Sequence, residues 1–166
     1  MVTATPSLSF PGSSRSFAPL GVGTWAWGDK STWGMGGYDT GISEATIAEA
    51  FDASLEAGVT LFDTAEVYGD GESERIIGRL LKGDPARRER ALIATKFMPA
   101  PWKLNVRTAL RSALEASLER LGVDRVDLYQ LHGPVSLRSH SALADALAEV
   151  AEAKLCDAGG GSNYSI

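Results

Sequence analysis

The chain contains 166 residues, and its 16 basic and 21 acidic side chains give a formal net charge of −5. Apolar residues make up 44% of the sequence and charged residues 22%, which is ordinary for a folded domain and excludes general disorder. The mild acidity argues against a nucleic-acid or anionic-membrane partner, and no apolar run is long enough to span a bilayer. The single cysteine, Cys156, cannot form an internal disulfide, which fits a reducing compartment.

The first 19 residues allow two interpretations. They are rich in serine and contain no acidic residue, as in an organelle transit peptide, but they lack the basic residues and the helical amphipathicity of one. Two short β-like runs around a Pro-Gly-Ser turn instead predict a hairpin, which we favour over a short leader. No secretory signal is visible, so the cytoplasm is the expected location, with the plastid stroma as the alternative.

Short apolar runs alternate with amphipathic helices through the rest of the chain. Five strands are predicted in chain order, at 20–25, 59–63, 91–96, 126–131 and 155–161. Helices are predicted at 43–57, between Gly71 and Gly83, at 106–121 and at 142–153. The stretch 26–42 is predicted to be a long Trp- and Gly-rich loop, and 86–90 a solvated connection.

This alternation, at a spacing of roughly 30–40 residues, predicts βαβ units and a parallel sheet within a single domain over residues 1–166. The count is about four and a half units, whereas a (β/α)8 barrel takes roughly 250 residues. The sequence therefore fits either a small open α/β sheet or the front half of a barrel.

Polar side chains follow the carboxyl ends of three successive predicted strands. Asp63 ends the second strand and Tyr68 follows it, Lys96 ends the third, and His132 follows the fourth. Ligands bind at this edge of parallel α/β sheets. A lysine at the end of an apolar strand needs a partner, and Asp63 on the neighbouring strand is the natural candidate.

These side-chain types suit the reduction of a carbonyl group. A tyrosine is a weak acid at neutral pH, and a nearby cation stabilises the phenolate that remains after it gives up its proton. A histidine can orient a carbonyl by hydrogen bonding or share in proton delivery. The set therefore suits protonation of a carbonyl oxygen while a hydride reaches its carbon.

The sequence resembles the aldo-keto reductase family. The resemblance is carried by PLGVGTWAWGD at 19–29, FDTAEVYGDGESERIIG at 62–78, ATK at 94–96, DLYQLH at 127–132 and GSNYS at 161–165. It implies a TIM barrel of the (β/α)8 type and the NADPH-dependent reduction of an aldehyde or ketone. It also implies a catalytic tetrad: Tyr68 as general acid, Lys96 as its activator, Asp63 as the partner of Lys96 and His132 as the carbonyl-orienting group.

The resemblance also assigns binding positions. Those that match the family's contacts to the nicotinamide, its ribose and its carboxamide are Gly23, Thr24, Asp63, Ser162 and Asn163. Those in loops that would border the substrate are Trp25, Trp27 and Trp102. No metal site is expected, because the chain has only two histidines and one cysteine.

The sequence departs from the family pattern after the fifth predicted strand, where it stops. Gly159 and Gly161 stand where β-branched residues are expected, and glycine weakens a strand interior. A half barrel would expose two sheet edges, through which copies of the chain could self-associate. The alternative hypothesis is therefore a catalytically silent half barrel that acts as an assembly or nucleotide-sensing module.

Overall fold

The computed structural model describes residues 6–28 and 42–164. Its main sheet has five parallel strands, and their order in the sheet is their order in the chain. The strands are β3 (Gly21–Gly23), β4 (Leu61–Asp63), β5 (Leu92–Phe97), β6 (Val126–His132) and β7 (Cys156–Ser162). A sheet without a switch in strand order is what a barrel requires, whereas a doubly wound sheet reverses direction at its centre.

Helices cover one face of this sheet: α4 packs against β5 and α5 against β7, while α2 packs against α4 and α4 against α5. The helices are α1 (Glu44–Glu56), α2 (Glu72–Gly83), α3 (Pro85–Arg90), α4 (Val106–Leu121) and α5 (His140–Glu152). Serine or asparagine side chains accept backbone N–H groups at the starts of α1, α4 and α5, and a left-handed Gly122 ends α4. None of the helices in the described part of the chain is long and apolar enough to cross a membrane.

The segment 86–90 has no buried residue and connects α2 to β5, as a solvated connection should, but it forms a short helix that was not predicted. Asp84 accepts the backbone N–H of Ala86, and Pro85 occupies the first helical position with its backbone angle already suited to a helix. The first two strands of the sheet are also shorter than predicted. Of the predicted loop at 26–42, residues 29–41 lie outside the described part of the chain.

The hydrophobic core lies between the sheet and the helices. Side chains alternate along each strand, so Phe62 of β4 faces the helices and stacks on Phe51 of α1 at 4.1 Å between ring centroids. The buried stripe of α4 packs on the same layer, as its spacing predicted, through Leu110, Leu114, Leu118 and Leu121. The neighbouring strand residues face the opposite side of the sheet, where the polar set is found.

The N-terminal segment forms a small hairpin of β1 (Leu8–Ser9) and β2 (Ser16–Phe17). Arg15 ties the hairpin to the amino ends of the strands: its guanidinium lies 2.7 Å from Asp127 of β6 and donates to the Ala91 carbonyl before β5. The hairpin therefore packs at the end of the sheet opposite the predicted catalytic edge.

The glycine-rich last strand is fully formed. Strand β7 pairs with β6 from Cys156 to Ser162, and α5 packs against it. A side chain at position 159 would meet Leu147 of α5 at 3.5 Å, an ordinary contact, whereas one at 161 would come within 2.9 Å of the Tyr164 ring. Gly161 thus leaves room for the ring of Tyr164, which packs beside the strand end.

Candidate active site

The carboxyl ends of β4, β5 and β6 bring the polar residues together. Asp63 is the last residue of β4, Lys96 lies one residue before the end of β5, and His132 is the last residue of β6. The register places Asp63 beside Ala94 and Lys96 beside Gln130. Because strand side chains alternate, all three side chains project from the face of the sheet that the helices do not cover.

Lys96 is the centre of the cluster. Its ammonium donates to the Asp63 carboxylate at 2.7 Å, to the Thr64 carbonyl at 2.9 Å and to the Tyr68 hydroxyl at 3.3 Å. An ammonium has three protons, and three acceptors surround it. Lys96 is only 4% exposed, so these contacts compensate for removing its charge from water.

A tight turn begins at Tyr68, whose side chain lies next to Lys96. Tyr68 begins a short 3-10 helix at Tyr68–Gly71, in which Gly69, Asp70 and Gly71 all have positive φ angles of 55–82°. This left-handed stretch reverses the chain just after the tyrosine; glycine carries no steric penalty at two of the three positions, and aspartate, at the third, is among the residues that adopt this conformation most readily. The Lys96 ammonium consequently lies 5.0 Å from the centroid of the Tyr68 ring as well as next to its hydroxyl.

His132 meets the edge of Tyr68, with ring centroids 5.5 Å apart and planes at 83°. Burial lowers the pKa of His132 from its usual 6.5, the charge of Lys96 lowers it further, and Asp63 opposes the shift. Its Nδ1 atom is buried and finds no hydrogen-bond partner among residues 6–28 and 42–164. A proton on Nδ1 would lack an acceptor there, so the neutral ring is expected to carry its proton on Nε2.

A buried cluster of hydroxyl groups lies beneath the site. Ser73 Oγ, at the start of α2, lies 2.8 Å from Thr24 Oγ1 and 2.9 Å from Thr64 Oγ1, and it donates to the Thr24 carbonyl. Thr24 Oγ1 also donates to the Asp63 carbonyl at 3.1 Å. The cluster fixes the ends of β3 and β4 against α2, and through them the backbone that presents Asp63.

Among the predicted cofactor positions, Thr24 does not lie where a ligand could reach its side chain. It is completely buried and its hydroxyl is used inside the protein, so it offers no surface to a ligand. Gly23 borders open space, with no atom within 4 Å of the position where a Cβ would stand. Ser162 ends β7 half-buried, and the exposed Asn163 donates to its hydroxyl at 3.1 Å.

The predicted substrate tryptophans separate in the structure. Trp25 lines a cavity of about 490 Å³ together with Tyr68, Met98 and His132. The prediction for Trp27 is wrong, because its ring is buried in the core, 6.4 Å from each of two phenylalanine rings. Trp102 is 79% exposed, in the loop that follows β5, and is not among the residues that line this cavity.

Sequence reasoning missed four contributors to this region: Glu66, Ser73, Glu74 and Met98. Glu66, Ser73 and Glu74 lie within the family motif at 62–78, but that resemblance implied no role for them. Glu74 is fully buried, accepts from the Thr95 hydroxyl and pairs with Arg120 at 2.6 Å. Met98 could have been found, because it follows Lys96 by two residues at the carboxyl end of β5.

A larger cleft of about 1220 Å³ lies on the outer surface between α2 and α4, away from this cluster. Several arginines line it, but their charges are largely used. Arg79 pairs with Glu44 and Glu72, and Arg120 with the buried Glu74. The chemistry of the chain is therefore concentrated at the strand ends rather than in the larger cleft.

The sequence model of the Aldo/keto reductase family matches residues 19–166. The chain belongs to the aldo/keto reductase family. Among curated members, it is 38% identical over 161 residues to the chloroplastic pyridoxal reductase of Arabidopsis thaliana, covering 90% of this chain and 42% of that protein. It is also 38% identical over 153 residues to the aldo-keto reductase YhdN of Bacillus subtilis, covering 89% and 44%.

Solved structures of the family show the same fold. An aldo-keto reductase from Klebsiella pneumoniae in complex with NADPH matches with a TM-score of 0.77 at 26% identity, over 98% of this chain and 51% of that one. The glycerol dehydrogenase AKR11B4 of Gluconobacter oxydans matches with a TM-score of 0.78 at 30% identity, over 98% and 50%. The chain thus spans about half the length of these relatives, and its five parallel strands match part of their (β/α)8 barrels, which confirms the predicted fold class.

Proposed function

We propose that this chain carries the catalytic tetrad of an NADPH-dependent reductase that converts an aldehyde or ketone to an alcohol. The observation that carries the proposal is the position of the Lys96 ammonium, 2.7 Å from Asp63 and 3.3 Å from the Tyr68 hydroxyl. Membership of the family supports oxidoreductase chemistry, and solved relatives bind NADPH or NADP.

In this mechanism Tyr68 donates the proton. A carbonyl oxygen in the cavity accepts the hydroxyl proton of Tyr68 as its carbon is reduced, and the double bond becomes the C–H and O–H bonds of an alcohol. The phenolate left behind is stabilised by the adjacent ammonium of Lys96 and regains its proton from solvent. Asp63 keeps the ammonium in place, because a buried lysine without this partner would tend to lose its proton and with it the positive charge that stabilises the phenolate.

His132 orients the substrate. Burial and the neighbouring Lys96 lower the pKa of His132, which favours the neutral ring, and the expected proton on Nε2 makes that nitrogen a hydrogen-bond donor. A donor beside the Tyr68 hydroxyl gives the carbonyl oxygen two hydrogen bonds that converge on it. This arrangement stabilises the negative charge that develops on the oxygen during reduction.

The residues present fit the nicotinamide end of the cofactor. Gly23 leaves open space at the end of β3, Asp63 is partly exposed, and Ser162 and Asn163 offer a hydroxyl and an amide at the end of β7. These groups would hold the ring, its ribose and its carboxamide. When bound, NADPH would supply the hydride. Thr24 would act only by supporting the backbone of Asp63.

Tyr68→Phe tests the proposal in purified protein that consumes NADPH with a simple aldehyde. Removing the proton donor should lower turnover by about 10²–10⁴-fold while NADPH binding, followed by tryptophan fluorescence, stays within a few fold. Tyr129→Phe is the matched control, because its hydroxyl bonds the Leu110 carbonyl on the outer side of the sheet. Unchanged turnover in Tyr68→Phe would refute the proton-donor role.

The same measurements separate the alternative hypothesis. NADPH binding without turnover of any aldehyde would favour a nucleotide-sensing module, and self-association through the open edges of β3 and β7, seen by size-exclusion chromatography, would favour an assembly module. Turnover by a monomer would exclude both. For location we propose the cytoplasm, with the plastid stroma as the alternative, since the Arabidopsis relative is chloroplastic; imaging of a tagged chain distinguishes the two.

A further inference from the structure

Glu66, in the turn after β4, makes contacts that neither the tetrad nor the cofactor positions account for. Its carboxylate accepts the backbone N–H of Met98 at 2.7 Å and lies 3.2 Å from the ammonium of Lys103. The Lys103 ammonium also lies 4.3 Å from the centroid of the Phe97 ring. One carboxylate therefore holds both ends of the loop from Met98 to Lys103.

Beyond the ends of β4 and β5, the Glu66 side chain takes over from the backbone hydrogen bonds that join these two strands. The parallel ladder between β4 and β5 continues beyond β4 through the Thr64 N–H to the Ala94 carbonyl, and the Glu66 N–H reaches the Lys96 carbonyl at 3.3 Å. The chain then turns away toward Tyr68, and the backbone N–H of Met98, just after β5, bonds a side chain rather than a neighbouring backbone carbonyl. The Glu66 side chain takes its place at Met98, and it is itself only 15% exposed.

This hydrogen bond from Met98 to Glu66 holds a residue that forms part of the cavity wall. Met98 lines the 490 Å³ cavity together with Tyr68, His132 and the partly exposed Trp25. The loop beyond it is folded on itself by the Ala100 N–H to the Met98 carbonyl. A thioether and an indole form a soft apolar slot, which suits a flat apolar or aromatic substituent.

We propose that Glu66 is a specificity-determining residue of this site, which fixes Met98 as the wall of a slot for carbonyl compounds with an aromatic substituent. The inference rests on the proposed carbonyl reduction. Glu66 does not touch the reacting atoms. It acts by holding the backbone of Met98, so its loss should change the choice among substrates and leave the proton transfer from Tyr68 intact.

Two variants separate the contacts of Glu66. Glu66→Ala removes the acceptor for the Met98 N–H, whereas Glu66→Gln keeps an acceptor but loses the charge beside Lys103. The matched control is Glu115→Ala, which breaks an exposed pair with Arg111 on α4. The first readout is hydrogen exchange of the Met98 amide, and the second is the ratio of kcat/KM for benzaldehyde to that for propanal.

In Glu66→Ala we expect the Met98 amide to exchange at least about tenfold faster, as for loss of a hydrogen bond to a charged group, and the benzaldehyde preference to fall by about fivefold or more. The kcat for propanal and its pH profile should stay unchanged. Glu66→Gln should keep most of the protection and of the preference, and Glu115→Ala should change neither. Unchanged exchange in Glu66→Ala, or faster exchange with an unchanged preference, would overturn the inference.

Failure of the proposed function would look different. If the unmodified chain reduced neither aldehyde, the reductase proposal would fail while the inference remained testable by benzaldehyde binding, followed through the methyl resonance of Met98. Benzaldehyde should then perturb that resonance in the unmodified chain and bind about tenfold more weakly to Glu66→Ala. Equal binding would overturn the inference. Should Glu66→Ala not fold, Glu66→Leu keeps most of the side-chain volume but offers the Met98 N–H no acceptor, and unchanged exchange of that amide in this variant would overturn the inference.

Discussion

The pair formed by Arg120 and Glu74 should be among the most sensitive points in the structure. Glu74 on α2 is fully buried, its carboxylate lies 2.6 Å from the Arg120 guanidinium of α4, and its other oxygen accepts from Thr95 at 2.6 Å. The two helices are in close contact here, since a Cβ at Gly78 would lie 2.4 Å from the Arg120 carbonyl. Arg120→Met would remove the cation but retain an apolar chain in this space.

The expected cost is set by the carboxylate left behind. Breaking a buried pair by removing one partner destabilises a protein by about 3–5 kcal/mol, because the remaining charge keeps its desolvation penalty. The Thr95 hydroxyl still bonds Glu74, so the lower part of this range is expected. For a domain of this size, each kcal/mol lowers the melting temperature by about 2–4 °C, so a cost of about 3–4 kcal/mol should lower Tm by roughly 6–16 °C.

Urea unfolding followed by circular dichroism measures this cost, with two comparison variants. Arg111→Met, on the same helix, breaks a pair in which both side chains are about half exposed and should cost less than about 0.5 kcal/mol. The double variant Glu74→Gln with Arg120→Met removes both charges and should recover most of the loss. A cost below about 1 kcal/mol for Arg120→Met, or no recovery in the double variant, would refute this reasoning.

Three further predictions concern charge and burial. Burial and Lys96 hold the pKa of His132 below 6.5, so on acidification the unfolded chain binds a proton before the folded one does. The free energy of unfolding should therefore fall as the pH drops below about 6.5. His132→Gln should flatten this part of the stability–pH profile, measured by urea titration. Burial raises the pKa of the Cys156 thiol to about 11, so iodoacetamide should label it only on unfolding, and rapid native labelling would contradict this. Arg15→Met should cost about 1–3 kcal/mol in thermal unfolding, because Asp127 is only 4% exposed and loses its cation; a neutral result would show that the hairpin is not anchored there.

The sequence predicted the parts of the fold that depend on periodicity. The stripe of leucines in α4 and the cap residues Ser43 and Gly122 gave correct helices, because these signals act within one or two turns. It failed for α3, where six residues with a mixed charge pattern carry no periodic signal and the Asp84 cap decides the structure. The lengths of β3 and β4 were overestimated, because a strand ends where its neighbour stops pairing.

For the candidate site too, the sequence predicted some features and not others. The residue types at the strand ends, with the family motifs around them, were enough to predict that Asp63, Tyr68, Lys96 and His132 would meet. Sequence spacing could not show that Thr24 and Trp27 turn inward, because both lie in a short segment whose side-chain directions are set by packing against Ser73 and the core.

The sequence by itself determined the family, the order of strands and helices and which four polar residues stand near the strand ends, because motifs and hydrophobic periods are local properties of the chain. The tertiary structure alone decided which polar side chains are partners. Lys96 receives its three acceptors from β4 and the turn after it, about 30 residues away in sequence, and Glu66 finds Met98 only because two strand ends lie side by side. Such pairings depend on register and on the desolvation of each group, and neither is encoded within a short stretch of sequence.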